Sequence, residues 1–434
     1  MSAAPQPPEL QTHISLGRYY ALVRDNTNFR RLWMAQIVSE LGDWFYAVAI
    51  YDLVIRLTGS AQLVGAAVLI QVLPMFFLGP TAGAVNDRVS RKAVMIAADL
   101  ARAVTVFCMV VVHTREQLWL LFALLGAEVV SASFFEPGRT AVIPNIVSKQ
   151  DVIAANALSS ATWSFNLAVG AGVGGIAVHF FGRNSAFVIN SISFLGSAAL
   201  IARMKFSEPH VAEHRHLRWI DILGVGPIIE GVRYVKEDPR LTSMLFIKFG
   251  LGLLGANLVL LPLMGEREFH VAGGGVLGMS TLFMFRGVGA VLGPLIGGRL
   301  AGSTQPRMRL GVLAGFVTAG VFYLLFSRAP TLAWASLCVV GAHAGGSVVW
   351  VFSTTLLQLN STDRFRGRVF AADFGLLTLA ISISGYAAGF ALDHGAPPRT
   401  AALALGCLMF VPAGAWALAL RLWRKKTETA DEPR

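Results

Sequence analysis

The sequence predicts an all-α, polytopic membrane protein with twelve transmembrane helices in two six-helix pseudo-repeats. Three observations point there. Of the 434 residues, 55% are hydrophobic and only 14% charged, where a soluble domain carries about 25% charge; a soluble enzyme is excluded. Long uncharged apolar stretches recur along the whole chain, each near the roughly 20 residues that cross a bilayer as a helix. The basic residues behind the net charge of +11 alternate between connections instead of gathering into one patch.

Taken in order, the N-terminal tail, 1–31, holds a PQPP run and Arg18, Arg24, Arg30 and Arg31, with no cleavage-like site after the apolar span that follows. That span therefore reads as a start-transfer helix and not as a removed signal. The first bundle, 32–204, has spans at 32–56, 61–82, 93–112, 117–138, 154–180 and 185–202. A polar linker, 205–240, separates it from the second bundle, 241–421, with spans at 241–263, 271–298, 310–327, 332–358, 369–392 and 400–420, ahead of a short tail, 422–434. The linker carries His210, His214 and His216 and an amphipathic stretch near 220–236. The histidines read as a solvated segment, and the amphipathic stretch as a helix lying on the membrane surface.

Of the 36 Lys and Arg residues, 27 fall in the termini and the even-numbered connections. Arg56, Arg115, Arg183, Arg267, Arg328 and Arg399 fall in the odd-numbered ones, and Arg102, Lys248 and Arg286 lie within spans. The positive-inside rule then places both termini in the cytoplasm, across a plasma or bacterial inner membrane. Topology accounts for the basicity, so no nucleic-acid partner is expected. Cys108, Cys338 and Cys407 are scattered through the spans, which indicates neither a disulfide framework nor a metal site. No HExxH, GxSxG or phosphate-cradling GxxxxGK[ST] occurs, which argues against an embedded enzyme, a bound nucleotide or any other cofactor.

Small residues stand four apart in several spans: Gly79 and Gly83, Gly170 and Gly174, Gly289, Gly293 and Gly297, Gly385 and Gly389. Such faces let helices approach closely in lipid. Trp33, Trp119, Trp334 and Trp423 fall near span ends and suit interfacial anchors.

Of the acids within the spans, six, Glu40, Asp43, Asp52, Asp99, Glu128 and Asp373, are set against the three bases. A charge at the bilayer centre costs about 2.5 to 3.5 kcal/mol on insertion scales, so each needs a partner, a watery cavity or a proton. If every base takes one acid, three acids remain unpaired and become candidates to take up and release protons. Gln36, Glu40, Asp43 and Ala47 share one helix face, as do Glu128, Ser131, Phe135 and Arg139. Both faces read as cavity-lining. Asp43 and Glu128, near the middles of their spans, are the leading proton-coupling candidates and Glu40 the next; the alternative is that they only tie neighbouring helices together. Gln36, Ser131, Phe135, Arg286 and His343 are the substrate-cavity candidates. Arg286 can bind an anionic substrate group or hold an acid, and His343 can be a packing residue or a proton relay. Lys248 with Asp373, and Asp99 with Arg102, read as structural ion pairs.

After the second span comes Gly83-Ala84-Val85-Asn86-Asp87-Arg88-Val89-Ser90-Arg91-Lys92. This resembles the GxxxDRxGRR/K loop of the major facilitator superfamily, with Ser90 where Gly is usual. The resemblance implies a gating role for Gly83, Asp87, Arg88, Arg91 and Lys92 on the cytoplasmic side. Ser39-Glu40-Leu41-Gly42-Asp43-Trp44, Ala98-Asp99-Leu100-Ala101-Arg102-Ala103, Phe135-Glu136-Pro137-Gly138-Arg139, Glu230-Gly231-Val232-Arg233-Tyr234 and Arg366-Gly367-Arg368-Val369 are similar to the branch containing macrolide-efflux proteins and the enterobactin exporter. That resemblance implies the major facilitator fold and drug:proton antiport, with protons and an amphipathic small molecule, drug or siderophore, as partners. One departure is Gly170-Ala171-Gly172, with Ala171 where antiporters often have Pro; it predicts a less kinked fifth span. Two matched halves favour alternating access over a pore. A proton-coupled uptake symporter is the alternative, and a channel or embedded enzyme a remote one.

Overall fold

The computed structural model describes residues 16–208, 238–269, 275–301 and 304–428. The three linker histidines, the amphipathic stretch near 220–236 and the Glu230–Tyr234 motif lie outside the described residues. A short helix α1 (Leu16–Asp25) precedes α2 (Thr27–Thr58), α3 (Ala61–Asn86), α4 (Arg91–Cys108), α5 (Leu118–Ile146), α6 (Val152–Phe181) and α7 (Arg183–Ala202). The second half comprises α8 (Pro239–Gly252), α9 (Asn257–Arg267), α10 (Gly275–Ala301), α11 (Gln305–Ser327), α12 (Leu332–Asn360), α13 (Asp363–Asp393), α14 (Pro398–Leu408) and α15 (Phe410–Glu428).

Eleven spans among the described residues are long and apolar enough to cross a membrane. Helix α2 is the twelfth, longer at 32 residues but interrupted by charge at Glu40, Asp43, Asp52 and Arg56. Local chemistry sets the helix starts. The side chains of Asn26, Ser60, Ser90 and Thr331 accept the amides of Phe29, Leu63, Ala93 and Trp334, satisfying donors that a first turn leaves free. Helix α2 stops at Gly59, whose φ of 65° is the left-handed cap that glycine adopts without strain.

Two expected spans are broken. The seventh is α8, a 3-10 turn over Leu253–Ala256, and α9. Here Gly252 and Gly255 lie so close to α13 that a methyl group at Gly252 would stand 2.6 Å from Ala380 Cβ; packing decides the break. The twelfth is divided at Met409 into α14 and α15, three residues before Pro412. The fifth is one uninterrupted helix.

Helices α3 and α13 form one seam between the halves, and α6 and α10 the other. At the end bearing the odd-numbered connections the halves are latched. Asp393, closing α13, accepts the amides of Ala61 and Gln62 at 2.8 and 3.0 Å and the Ser60 hydroxyl. Arg267 donates to Gly59 O at 2.7 Å, and Gln62 to Tyr386 Oη at 2.6 Å. The basic end is different: a methyl group at Gly79, Gly83 or Gly298 would meet nothing within 4 Å, and Phe77 is 66% exposed. At these three glycines no neighbouring helix is packed. Gly79 and Gly83 are therefore not a packed seam in this conformation, unlike Gly170 and Gly174, which abut Trp44 and Phe45.

Candidate functional site

The first half is organised around Arg102 of α4. Its Nε donates to Glu128 Oε1 of α5 at 2.9 Å, its Nη2 to Asp43 Oδ2 of α2 at 3.0 Å, and its Nη1 stands 3.7 Å from Asp99 Oδ1. The guanidinium lies 3.9 Å over the Phe194 ring of α7, and Asn190 Nδ2, also of α7, reaches Asp43 Oδ1 at 3.4 Å. Four helices thus meet on one cation.

This corrects two expectations. Asp43 and Glu128 are not unpaired, and Arg102 does not serve Asp99 alone; its hydrogen bonds go to acids on other helices. The remaining acids also differ from a one-to-one count. Asp52 is taken by Arg56, one turn on, at 2.7 Å. Glu40 accepts from the amides of Gln36 at 2.8 Å and Asn166 at 3.1 Å. The surplus of acid is therefore concentrated: three carboxylates share one guanidinium, carrying two negative charges in excess if all are ionised. Only Asp43 of the three is substantially exposed, its side chain 33% exposed against 8% for Glu128 and 0% for Asp99.

The cavity-lining face predicted on α5 is only partly realised. Phe135 is buried against Arg102 at 5.9 Å, and Ser131 bonds its own helix at Ala127 O. Glu136 and Arg139, paired at 2.8 Å with Glu136 51% exposed, carry the polar face there. Gln36 is buried and ties Glu40 to Ser159 O at 3.0 Å. In the second half Lys248 Nζ donates to Thr354 Oγ1 at 2.9 Å, lies 3.7 Å over the Trp350 ring, and is 3.9 Å from Asp373. His343 bonds Tyr323 Oη at 3.1 Å, both buried. Arg286 has no acid: its Nε and Nη1 are buried without a hydrogen bond among the described residues. Asn166 and Asn190 were not singled out from the sequence, and Glu136 and Arg139 were named there without being paired. The signal was available, since an asparagine inside an apolar span needs a polar partner.

The Gly83–Lys92 loop is tied to the start of the linker and to neighbouring helices of the first half. Ser90 Oγ and the Arg91 amide both donate to Glu208, at 2.6 and 2.7 Å, Arg91 reaches Ala141 O at 3.0 Å, and Lys92 reaches Met204 O at 2.7 Å. Asp87 stands 75% exposed, 3.6 Å from Arg91.

Residues 20–433 match the family of transmembrane secretion effectors. The chain belongs to that family of the major facilitator superfamily. It is 27% identical over 414 residues to the MFS-type transporter YfiS of Bacillus subtilis, covering 90% of this chain and 92% of that one. It is 24% identical over 364 residues to macrolide efflux protein A of Streptococcus pyogenes, covering 82% and 87%. Among solved structures, the nucleoside transporter NupG superposes with a TM-score of 0.71 at 12% identity, covering 90% of this chain and 98% of that one. A bacterial homologue of the lysosomal transporter Spinster, inward-facing and occupied, superposes with a TM-score of 0.70 at 13% identity, covering 91% and 96%. These two share the fold. This facilitator-superfamily chain is a multi-pass membrane transporter with efflux proteins among its relatives.

Proposed function

We propose that this transporter exports amphipathic small molecules across the cell membrane by alternating access, driven by protons that load on the Asp43–Glu128–Asp99 cluster. The observation that carries this reading is the sharing of one guanidinium by three carboxylates in the membrane interior. One cation balances one carboxylate, and the remaining negative charge is costly in low dielectric until protons or a cationic ligand neutralise it. Asp43, the exposed member, is the port through which the cleft supplies a proton; Glu128 and Asp99 hold Arg102 when Asp43 lets go. Glu40, bonded to amides only, is a second acceptor on the same face. The positive-inside rule makes the basic end cytoplasmic, and the conformation, latched at the opposite end, is then inward-open. The relative named for macrolide efflux supports export.

Proteoliposomes loaded with ethidium or erythromycin test this. A pH gradient is expected to drive accumulation by the wild type; Asp43→Asn and Glu128→Gln are expected to lose the gradient dependence while keeping counterflow exchange. Undiminished pH-driven transport in both variants sinks the proton-coupling role.

A further inference from the structure

A second charged site lies across the cleft from the acid cluster. Arg286 of α10 projects its guanidinium between the two halves, with Cζ 5.9 Å from the Trp44 ring of α2 and 5.8 Å from the Phe283 ring of its own helix. Tyr51 of α2 stacks on Phe283, with centroids 6.1 Å apart and planes at 18°. Tyr323 and His343 are also within electrostatic reach of Arg286 and are held to each other. None of these five neighbours is an acid. The Nε and Nη1 donors are buried without a partner among the described residues, whereas Arg102 and Lys248 each have a carboxylate at 3.9 Å or less. An arginine in this position is costly to desolvate unless an oxyanion completes it.

We infer that Arg286 is the recognition residue for a planar oxyanion, a carboxylate, carried by an aromatic or flat apolar substrate. A guanidinium fork matches a carboxylate in geometry as well as charge. The rings of Trp44, Phe283 and Tyr51 supply flat apolar surfaces beside it, where an aromatic body gains offset or edge contacts. Because Trp44 and Tyr51 belong to the first half and Arg286 and Phe283 to the second, the site is remade each time the halves move. The inference rests on the reading of the chain as a transporter of amphipathic molecules and adds amphipathic acids to the substrates it takes.

The test is calorimetric titration of the full chain in lipid nanodiscs, against empty nanodiscs, with 2-naphthoate and its neutral counterpart 2-naphthamide. The wild type is expected to bind naphthoate about tenfold or more tightly than naphthamide, as a buried charge pair implies. Arg286→Gln is expected to bring naphthoate down to the naphthamide level, and Arg286→Lys to fall between. Equal binding of the two probes by the wild type, no binding of either, or an unchanged preference in Arg286→Gln overturns the inference. Should the glutamine variant not assemble, phenylglyoxal modification of Arg286 in the wild type is read by peptide mass spectrometry. Naphthoate is expected to slow it several-fold and naphthamide not at all; absent protection overturns the inference. Binding here needs no gradient, so its failure leaves proton-driven transport standing, and failure of that transport leaves this binding standing.

Discussion

The carboxylate of Asp393, the last residue of α13, accepts the backbone amide of Ala61, the first residue of α3, at 2.8 Å. An acid of the second half thus caps a helix of the first, where free amides and the helix dipole favour negative charge. With Arg267 on Gly59 O, this is the latch that keeps the cleft closed at the end opposite the basic one. Asp393→Asn removes the charge but keeps the shape. For a charged hydrogen bond at an exposed position, discounted for solvent, the expected loss is about 1 kcal/mol, a shift of about fivefold toward the conformer open at that end. Spin labels at Ser185 and Thr400, read by pulsed dipolar spectroscopy, measure it; an unchanged distance distribution removes the latch.

Arg102 holds three acids from three helices, so its loss should be far more harmful than the loss of any one of them. Leaving buried charge uncompensated costs about 3–5 kcal/mol. Arg102→Gln is expected to lower the thermal unfolding midpoint strongly in detergent. Adding Asp43→Asn and Glu128→Gln to it should recover more than half of that loss, because neutral partners no longer need the cation. Additive destabilisation in the triple variant would mean that the three residues do not act as one unit.

The architecture was legible in the sequence because span length and charge placement are local properties. An acid in an apolar run is conspicuous for the same reason, so Asp43, Glu128 and Glu40 stand out in the sequence. Their partners were not, since pairing across helices is tertiary: Arg102 is separated from Asp43 by 59 positions and from Glu128 by 26. Sequence proximity favoured Asp99, three residues away, yet geometry leaves it at 3.7 Å while the distant acids take the hydrogen bonds. Breaks were missed where packing dictates them, as at Gly252 and Gly255 against α13. Gly79 and Gly83 carry the spacing of a seam but lie open, because the spacing cannot say which conformer closes on them.

That difference between glycines is measurable. A methyl group at Gly174 would stand 2.7 Å from Phe45 Cα, a backbone atom that moves only with its helix, whereas at Gly79 it would meet nothing within 4 Å. Gly174→Ala should cost about 1–3 kcal/mol through overpacking. Gly79→Ala should leave stability unchanged or slightly improved, as expected for glycine replaced inside a helix. Thermal unfolding of the two variants side by side decides it, and equal behaviour would contradict the packed and open seams described above.

The clasp between α1 and the segment before α6 adds a pH dependence away from the membrane. Hydrogen bonds from Ser148 and Arg18 hold the Asp151 carboxyl below its ordinary value, which in an unfolded chain is about 3.9. A depressed folded value means that the stabilisation is complete above about pH 4 and is lost as pH falls through the folded value beneath it. The pair is partly exposed, 39% and 27%, so its worth is that of a surface pair, about 0.2–1 kcal/mol. Hydrogen exchange at residues 16–25, corrected for intrinsic rates, is expected to quicken up to about fivefold as pH falls from 5 to 2.5. Asp151→Asn should show the faster exchange already at pH 5 and no further change, because the titrating group is gone. A wild-type profile that stays flat across this window would mean that Asp151 does not hold α1 in place.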